Sequence, residues 1–290
     1  MYCRLLSRST ARVRSFATAS LPPDGTVVSE TNRAEATLKR FWETVGISKR
    51  DDGLAVTLDM RALKTPSGNT LLLPGNKRLV ATLIANEWEN QEILLKPHAL
   101  PMTSIASRAI DAFQDEKTCS EVRESLLDYL DTDTICFHHD DPPPLVELQH
   151  KHWDPLIEWA TSTFNIDIQV FTSILFHSQS AETRAKFDTV LTEMDPWELA
   201  GECHEIIIEA KGTTLTILAM ERVTYTTKSF LIALALVKRH ITVEEAAVAA
   251  QVEVSSQIQR WGEVEDSHDV DFHDIRRHLG SAACLLTNSS

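Results

Sequence analysis

Two kinds of hydrophobic spacing follow one another along this chain of 290 residues. In residues 54–58 apolar side chains alternate with small or polar ones, the period of two that is typical of a half-buried β-strand. Residues 65–69 are rich in turn formers, and residues 70–74 supply a second apolar run. The pattern therefore predicts a β-hairpin region with its turn near Ser67 and Gly68.

The spacing becomes helical after this hairpin. The apolar residues of 79–88 fall on one stripe and predict a helix. Beyond Pro97 almost the whole chain has helical periodicity, interrupted by a proline-rich break at residues 140–144. The predicted helices cover about residues 103–113 with Thr103 as the cap, 120–130, 152–164, 181–193, 196–211, 215–239, and a last one from a capping box at Thr242 to Trp261.

These patterns predict an α+β fold, in which a small β-rich N-terminal domain precedes a larger, mostly helical C-terminal domain. The predicted division of the chain is residues 1–23 as a targeting segment, 24–37 as a lead-in, 38–97 as the β-rich domain and 98–280 as the helical domain.

The N-terminal segment has the composition of a mitochondrial transit peptide. Its first 23 residues contain four arginines, several serines and threonines, and no acidic residue. Residues 14–17 offer a processing site, so the mature chain is expected to begin near Ala17, in the mitochondrial matrix. A disordered basic tail is the alternative interpretation of the same composition.

Charge and composition restrict the kind of partner. The net charge is −14, and it becomes more negative once the arginines of the transit segment are removed. Nucleic acid and anionic membrane are therefore poor partners, and a protein with a basic surface is a better one. No apolar run reaches the ~20 residues that span a bilayer, so no integral membrane segment is expected.

The familiar signatures of cofactor and acyl-transfer chemistry are missing from the sequence. Only nine glycines occur, and they form neither a phosphate-binding loop nor a nucleophile elbow. The five cysteines are scattered without a Cys-x-x-Cys pair, so neither a disulfide framework nor a zinc site of the usual spacing is indicated. We expect no cofactor, no small-molecule substrate and no catalytic residue.

The densest cluster of charge follows the last predicted helix. Between Glu263 and Asp274 there are six carboxylates, two histidines and no lysine or arginine. Such a cluster repels itself unless a metal or a basic partner surface approaches it. Two structural explanations compete with a binding role: a solvated acidic turn, and carboxylates that interact with the N-terminal dipole of a following helix.

Histidine and aspartate in this cluster permit an enzymatic alternative. His268, Asp269 and His273 could supply imidazole and carboxylate ligands to a catalytic metal, which would make the chain a metal-dependent matrix hydrolase. The cluster lacks the helical His pair, four residues apart with a Glu between, that makes such an assignment specific. No metal ligand is therefore assigned, and the hydrolase remains the alternative hypothesis.

Several ordered blocks of sequence resemble a known family, the mitochondrial chaperones that attend the α subunit during assembly of the F1 part of ATP synthase. The match spans about residues 38–270, and its blocks are residues 40–45, 58–66, 87–91, 100–103, 109–111, 129–134, 153–156 and 259–266. Residues 251–258 and the segment after Asp274 depart from the family pattern. The resemblance implies a two-part fold and binding of the newly imported F1-ATPase α subunit without an enzymatic step.

The family resemblance and the charge pattern together single out candidate residues. The predicted binding residues are Glu263, Glu265, Asp266 and Asp269, followed by Arg61 and Lys64 near the hairpin turn. Trp42, Trp88 and Trp261 are expected to pack in the core or between the domains. Asp59 is expected to pair with Arg61 or to contact the helical domain. Asp131 and Asp133 lie at a helix C-terminus, where the dipole disfavours anions, so each is expected to have a partner.

Overall fold

The computed structural model describes residues 39–51, 53–112, 116–173, 178–194 and 204–287. The predicted transit segment and lead-in, and the first part of the helix predicted at 196–211, lie outside these residues. The described strands are β1 (Val45–Arg50), β2 (Gly53–Leu58), β3 (Arg61–Ala62) and β4 (Leu72–Leu73). The described α-helices are α1 (Arg78–Glu89), α2 (Pro101–Ala112), α3 (Glu116–Asp131), α4 (Pro143–His152), α5 (Asp154–Phe164), α6 (Ala181–Thr192), α7 (His204–Thr227), α8 (Phe230–Val237), α9 (Val243–Ala250), α10 (Val252–Trp261) and α11 (Glu265–Leu285).

The small sheet is built around β2. It pairs antiparallel with β1 along its full length, and its other edge pairs with β3 and then with β4. Between β3 and β4 the chain forms a hairpin arm, in which the Thr65 amide donates to the Asn69 carbonyl at 2.8 Å. Gly68 has φ +88° in this turn, a conformation that a side chain would strain. The predicted hairpin with its turn at Ser67 and Gly68 is confirmed.

A single hydrophobic cluster joins the sheet to the helices. It extends from Trp42 and the inner face of β2 to Leu285 at the end of α11. Helix α8 lies within it, and every residue from Phe230 to Leu236 is buried. The predicted fold class is confirmed, since a small antiparallel sheet precedes a mostly helical region. The division into two domains near Pro97 stays a prediction.

Several of the predicted helix boundaries are wrong. The break expected between residues 211 and 215 is absent, since α7 runs without interruption from His204 to Thr227, and α4 lies before the helix predicted at 152–164, where no helix was expected. The long helix expected at 215–239 is two helices, because Lys228 adopts φ 57° and Ser229 caps α8 with its hydroxyl. The helix expected from Thr242 to Trp261 is also two, with Gln251 between α9 and α10. Thr103 does not cap the helix predicted at 103–113, since α2 begins at Pro101.

The capping box predicted at Thr242 is confirmed, with both of its reciprocal hydrogen bonds to Glu245 present. In the described part of the chain, no helix combines the length and the apolar character needed to cross a bilayer.

Candidate functional site

The acidic cluster lies where α10 ends and α11 begins, and we call residues 261–272 the acidic junction. Helix α10 ends at Trp261 and is capped by Gly262, whose amide donates to the Ile258 carbonyl and whose φ is +89°. The chain then turns at Val264, and the Val264 amide donates to Nδ1 of His268 at 2.9 Å. His268 therefore satisfies a backbone donor at the start of α11, which fixes the turn between the two helices.

The four predicted binding carboxylates all lie on the surface of this junction. Glu263, Glu265, Asp266 and Asp269 are exposed, and none of them forms an ion pair with another described residue. Glu265 and Asp266 occupy the first turn of α11, where the helix dipole favours anions. The dipole explains why two carboxylates are tolerated in that turn, but it does not neutralise the rest of the cluster.

Large apolar side chains are exposed among these carboxylates. Trp261 is 71% exposed, Val264 61% and Val270 65%, and Phe272 is 43% exposed. The structure thus places Trp261 on the surface instead of in the packing role expected for it. Exposed apolar groups beside a concentrated charge are typical of protein interaction surfaces.

Arginine side chains hold two of these aromatic rings in place. The Arg260 guanidinium lies over the Trp261 ring, 5.0 Å from its centroid, and that of Arg276 lies over Phe272 at 3.3 Å. Arg276 also donates to both carboxylate oxygens of Glu244, at 2.9 and 2.6 Å, which ties α11 to α9. The Arg276 contact lowers the pKa of Glu244. The two aromatic rings thus have partners before any client arrives, which lowers the entropic cost of ordering them on binding.

A cavity of about 290 Å³ opens beside Trp261, between the start of α4 and one face of α10. Its lining includes Pro142, Leu145, Arg260 and Trp261. The indole therefore borders a recess that a partner side chain can enter.

Metal chemistry has no support in the described part of the chain. No group of three or more His, Cys, Asp or Glu residues there is arranged to hold a metal ion. His268 is engaged by a backbone amide, and the ring of His273 meets that of Phe272 edge to face at 5.3 Å. The residues proposed as ligands for a hydrolase are thus not assembled into a metal site in the described residues.

Asp59 stabilises the N-terminal sheet and does not pair with Arg61. Its carboxylate accepts hydrogen bonds from the Glu43 and Thr44 amides at 3.0 and 2.8 Å, and the bond from Thr44 is the main cause of its lowered pKa. The two residues after β2, Asp59 and Met60, have φ 47° and 69°, so these bonds hold a left-handed turn. Arg61 and Lys64 are exposed close by.

Two of the tryptophans singled out from the sequence connect the sheet region to the helices. Trp42 is buried, and its ring centroid lies 5.0 Å from that of Trp88. The Trp88 indole donates to the hydroxyl of Thr103 at 3.0 Å.

The two aspartates at the end of α3 also have partners. Asp131 accepts from Arg184 at 3.3 Å, and the buried Asp133 accepts from the backbone amides of Ile135 and Leu231.

Sequence reasoning found the acidic residues of the junction but missed its apolar ones. Val264, Val270 and Phe272 interrupt an acidic run at spacings that do not match one buried helix face. This irregular spacing could have predicted their exposure, since apolar residues that do not share one helix face cannot all be buried.

Comparison with known proteins places the chain in a family. The family model described as ATP12 chaperone protein matches residues 39–161. Protein atp12, mitochondrial, of Schizosaccharomyces pombe is 30% identical over 259 residues, covering 87% of this chain and 83% of that protein. Protein ATP12, mitochondrial, of Saccharomyces cerevisiae is 29% identical over 296 residues, covering 88% and 86%.

A solved structure agrees with the sequence comparison. The crystal structure of Atp12 from Paracoccus denitrificans superposes with a TM-score of 0.69 at 25% identity, covering 87% of this chain and 98% of that chain. Both yeast relatives are named as mitochondrial, which confirms the mitochondrial location predicted from the N-terminal composition. This chain belongs to the ATP12 chaperone family.

Proposed function

We propose that this protein is a matrix chaperone that binds the unassembled α subunit of the F1-ATPase and keeps it competent for assembly of the ATP synthase head. Its membership of the ATP12 chaperone family supports the general activity. The α subunit as the client, and the acidic junction as the surface that binds it, are the parts specific to this proposal.

The observation that supports it most is the chemistry of the acidic junction. A subunit that has not met its partners exposes apolar patches and charges that are later covered, and such surfaces aggregate. A chaperone must cover them and then leave, so a modest apolar area with complementary charge suits it better than a large apolar interface. The exposed Trp261 and Val264, among four carboxylates that form no ion pair with another described residue, have this composition.

No chemical step is part of the proposal. The chaperone names of the relatives favour a binding protein, and the histidines of the hydrolase alternative are not assembled into a site in the described residues. Binding and release of a protein client require only the surface already described.

The proposal is tested by the fate of the α and β subunits. In mitochondria that lack this protein, we expect both subunits in insoluble matrix aggregates, measured by fractionation and immunoblotting. In a purified system, the protein should suppress light scattering when the unfolded α subunit is diluted out of urea, up to stoichiometric amounts. Soluble, assembled subunits in its absence, or scattering that it leaves unchanged, would contradict the proposal.

A further inference from the structure

A second concave surface lies apart from the acidic junction and shares no lining residue with it. It is a cavity of about 720 Å³ between the hairpin arm and α2, and we call it the hairpin groove. Trp88, Leu95 and Leu100 give it an apolar lining, the hairpin residues Lys64 to Pro66 form one wall, and α2 forms the other. Its volume is that of a site for a peptide segment or a small ligand.

Hydrogen bonds between its walls hold the groove in shape. The Asp111 carboxylate on α2 accepts a hydrogen bond from the Thr65 hydroxyl at 2.6 Å. It accepts another from the side-chain amide nitrogen, Nδ2, of Asn69 at 2.9 Å. On the inner side, Trp88 donates to the Thr103 hydroxyl at 3.0 Å. The walls are thus fixed to each other before anything binds, which lowers the entropic cost of occupying the groove.

The most exposed charged groups at the mouth of the groove are opposite in sign to the net charge of the chain. Lys64 is exposed on one wall and has no ion pair with a described residue. On the other wall the Arg108 side chain is 50% exposed, and Glu221 orients it through two hydrogen bonds of 2.7 and 2.6 Å. A third cation, Arg222, donates to Ser104 at 3.3 Å.

The carboxylates near these cations are less exposed than the cations. Glu221 is only 6% exposed, and Asp111, which lines the groove, is half-buried and accepts hydrogen bonds from the hairpin. In a chain with a net charge of −14, the most exposed charged groups of this groove, Lys64 and Arg108, are therefore cations beside an apolar lining. Charge complementarity selects an occupant that is apolar and anionic.

We propose that the hairpin groove binds an extended segment of the unassembled α subunit in which apolar side chains accompany a carboxylate. This inference rests on the proposed function for the identity of the client. The apolar side chains contact Trp88 and Leu100, and the carboxylate lies between Lys64 and Arg108. Two separate contacts of opposite charge raise the affinity of a chaperone without a large interface at either one.

The test uses overlapping short peptides that cover the α subunit, immobilised and probed with the purified protein. We expect the bound peptides to be apolar and acidic. Ser104→Trp fills the groove from an exposed position, and Lys64→Glu reverses its charge. Each variant should weaken binding of those peptides by about tenfold or more, because a like charge or a steric block now faces the carboxylate. Matched controls are Ser162→Trp on α5 and Lys49→Glu on β1, both exposed and outside the groove.

The outcomes separate this inference from the proposed function. Peptides bound equally well by the parent and by Ser104→Trp would overturn the groove as their site, as would an array in which only basic peptides bind. Displacement of the peptides by ATP would instead assign the groove to a phosphate ligand and overturn the inference. In each of these cases, capture of the intact α subunit by the parent protein would leave the proposed function standing. Failure of the parent to capture the intact subunit would remove the proposed function itself.

Discussion

Two tryptophans of this chain show how differently the same residue type is used. Trp153 is buried, and its indole donates to the Ala249 carbonyl at 2.8 Å. Trp261 is 71% exposed and touches the guanidinium of its neighbour Arg260. Both occur in sequence blocks that resemble the family, so their positions in the sequence do not distinguish the two roles. Only the structure shows that one of them is available to a partner.

Substitution separates the two roles. Trp261→Ala should leave the free energy of unfolding within about 0.5 kcal/mol of the parent value, since the side chain packs against little. The same change should weaken α-subunit binding by about 2 kcal/mol or more, as for an aromatic anchor at an interface. Trp153→Ala, the matched control, should cost about 3–5 kcal/mol of stability. Urea unfolding and a binding titration measure both, and a large loss of stability in Trp261→Ala would show that Trp261 is structural.

Asp133 is a residue whose charge the fold disfavours. It is fully buried, and desolvation raises its pKa from 3.8 to about 6 despite hydrogen bonds from Ser229 and from backbone amides. The folded state therefore binds the proton more tightly than the unfolded state. The resulting stabilisation is complete below the unfolded pKa and is lost as the pH rises through the folded pKa.

This linkage gives a pH-dependent prediction. Relative to Asp133→Asn, which does not titrate, the parent protein should lose stability between about pH 4 and about pH 6, by on the order of 3 kcal/mol. Urea unfolding of both proteins across that range measures the difference. Stability curves that run parallel would contradict the raised pKa.

At the scale of elements, a carboxylate of α1 holds the first turn of α2. The Glu87 carboxylate on α1 accepts from the Met102 amide at 2.6 Å and from the amide and hydroxyl of Thr103 at 2.9 and 2.6 Å. It thereby caps the N-terminus of α2 from another helix. Burial raises the pKa of Glu87, and these hydrogen bonds oppose the rise.

Removing this cap should destabilise the protein. Glu87→Ala leaves two backbone donors and a buried hydroxyl without their acceptor, so we expect a loss of about 1–3 kcal/mol in the free energy of unfolding. Glu92→Ala, an exposed carboxylate just beyond the end of α1, is the control and should change stability by about 0.5 kcal/mol or less. Equal effects of the two substitutions would show that the contact with α2 contributes nothing.

Local features of the fold were predictable and remote ones were not. The capping box at Thr242 and Glu245 depends on only four consecutive residues, and it forms as predicted. The break before α8 has no glycine or proline to mark it. Part of what stabilises that break is Asp133, which accepts from the Leu231 amide at 2.9 Å from a position 98 residues earlier. Such a contact exists only once the chain has folded.

In the candidate site, too, the local features were predictable from the sequence and the remote ones were not. The carboxylates of the acidic junction were recognised because clustered charge is visible in a short stretch of sequence. The exposure of Trp261 and the hairpin groove depend on how α10, α2 and the hairpin arm pack, which no short stretch determines. Asp59 was assigned the wrong partner for the same reason, since the amides it binds lie 15 and 16 residues before it.

At the scale of the whole molecule, the net charge of −14 makes client binding sensitive to salt. The acidic junction is exposed, so its attraction to a basic surface is screened over ~8 Å at physiological ionic strength. We expect the affinity for the α subunit to fall as sodium chloride is raised, mainly through slower association. An affinity that is constant across the salt series would mean that the client contact is apolar alone.

The central claim is that the exposed carboxylates of the acidic junction bind the client and do not stabilise the fold. Glu265→Lys and Asp266→Lys test it, with Glu147→Lys on α4 as an exposed control of the same charge change. Exposed charges shift stability by about 0.5 kcal/mol or less, so the thermal midpoints of all three variants should stay close to that of the parent. Placing a like charge against a basic client surface costs several kcal/mol.

The decisive measurement is the affinity of each purified variant for the isolated α subunit, by surface-immobilised titration. We predict that Glu265→Lys and Asp266→Lys are folded and monodisperse but bind at least about tenfold more weakly, while Glu147→Lys binds as the parent does. Folded Glu265→Lys and Asp266→Lys proteins that bind the α subunit with the parent's affinity would contradict it.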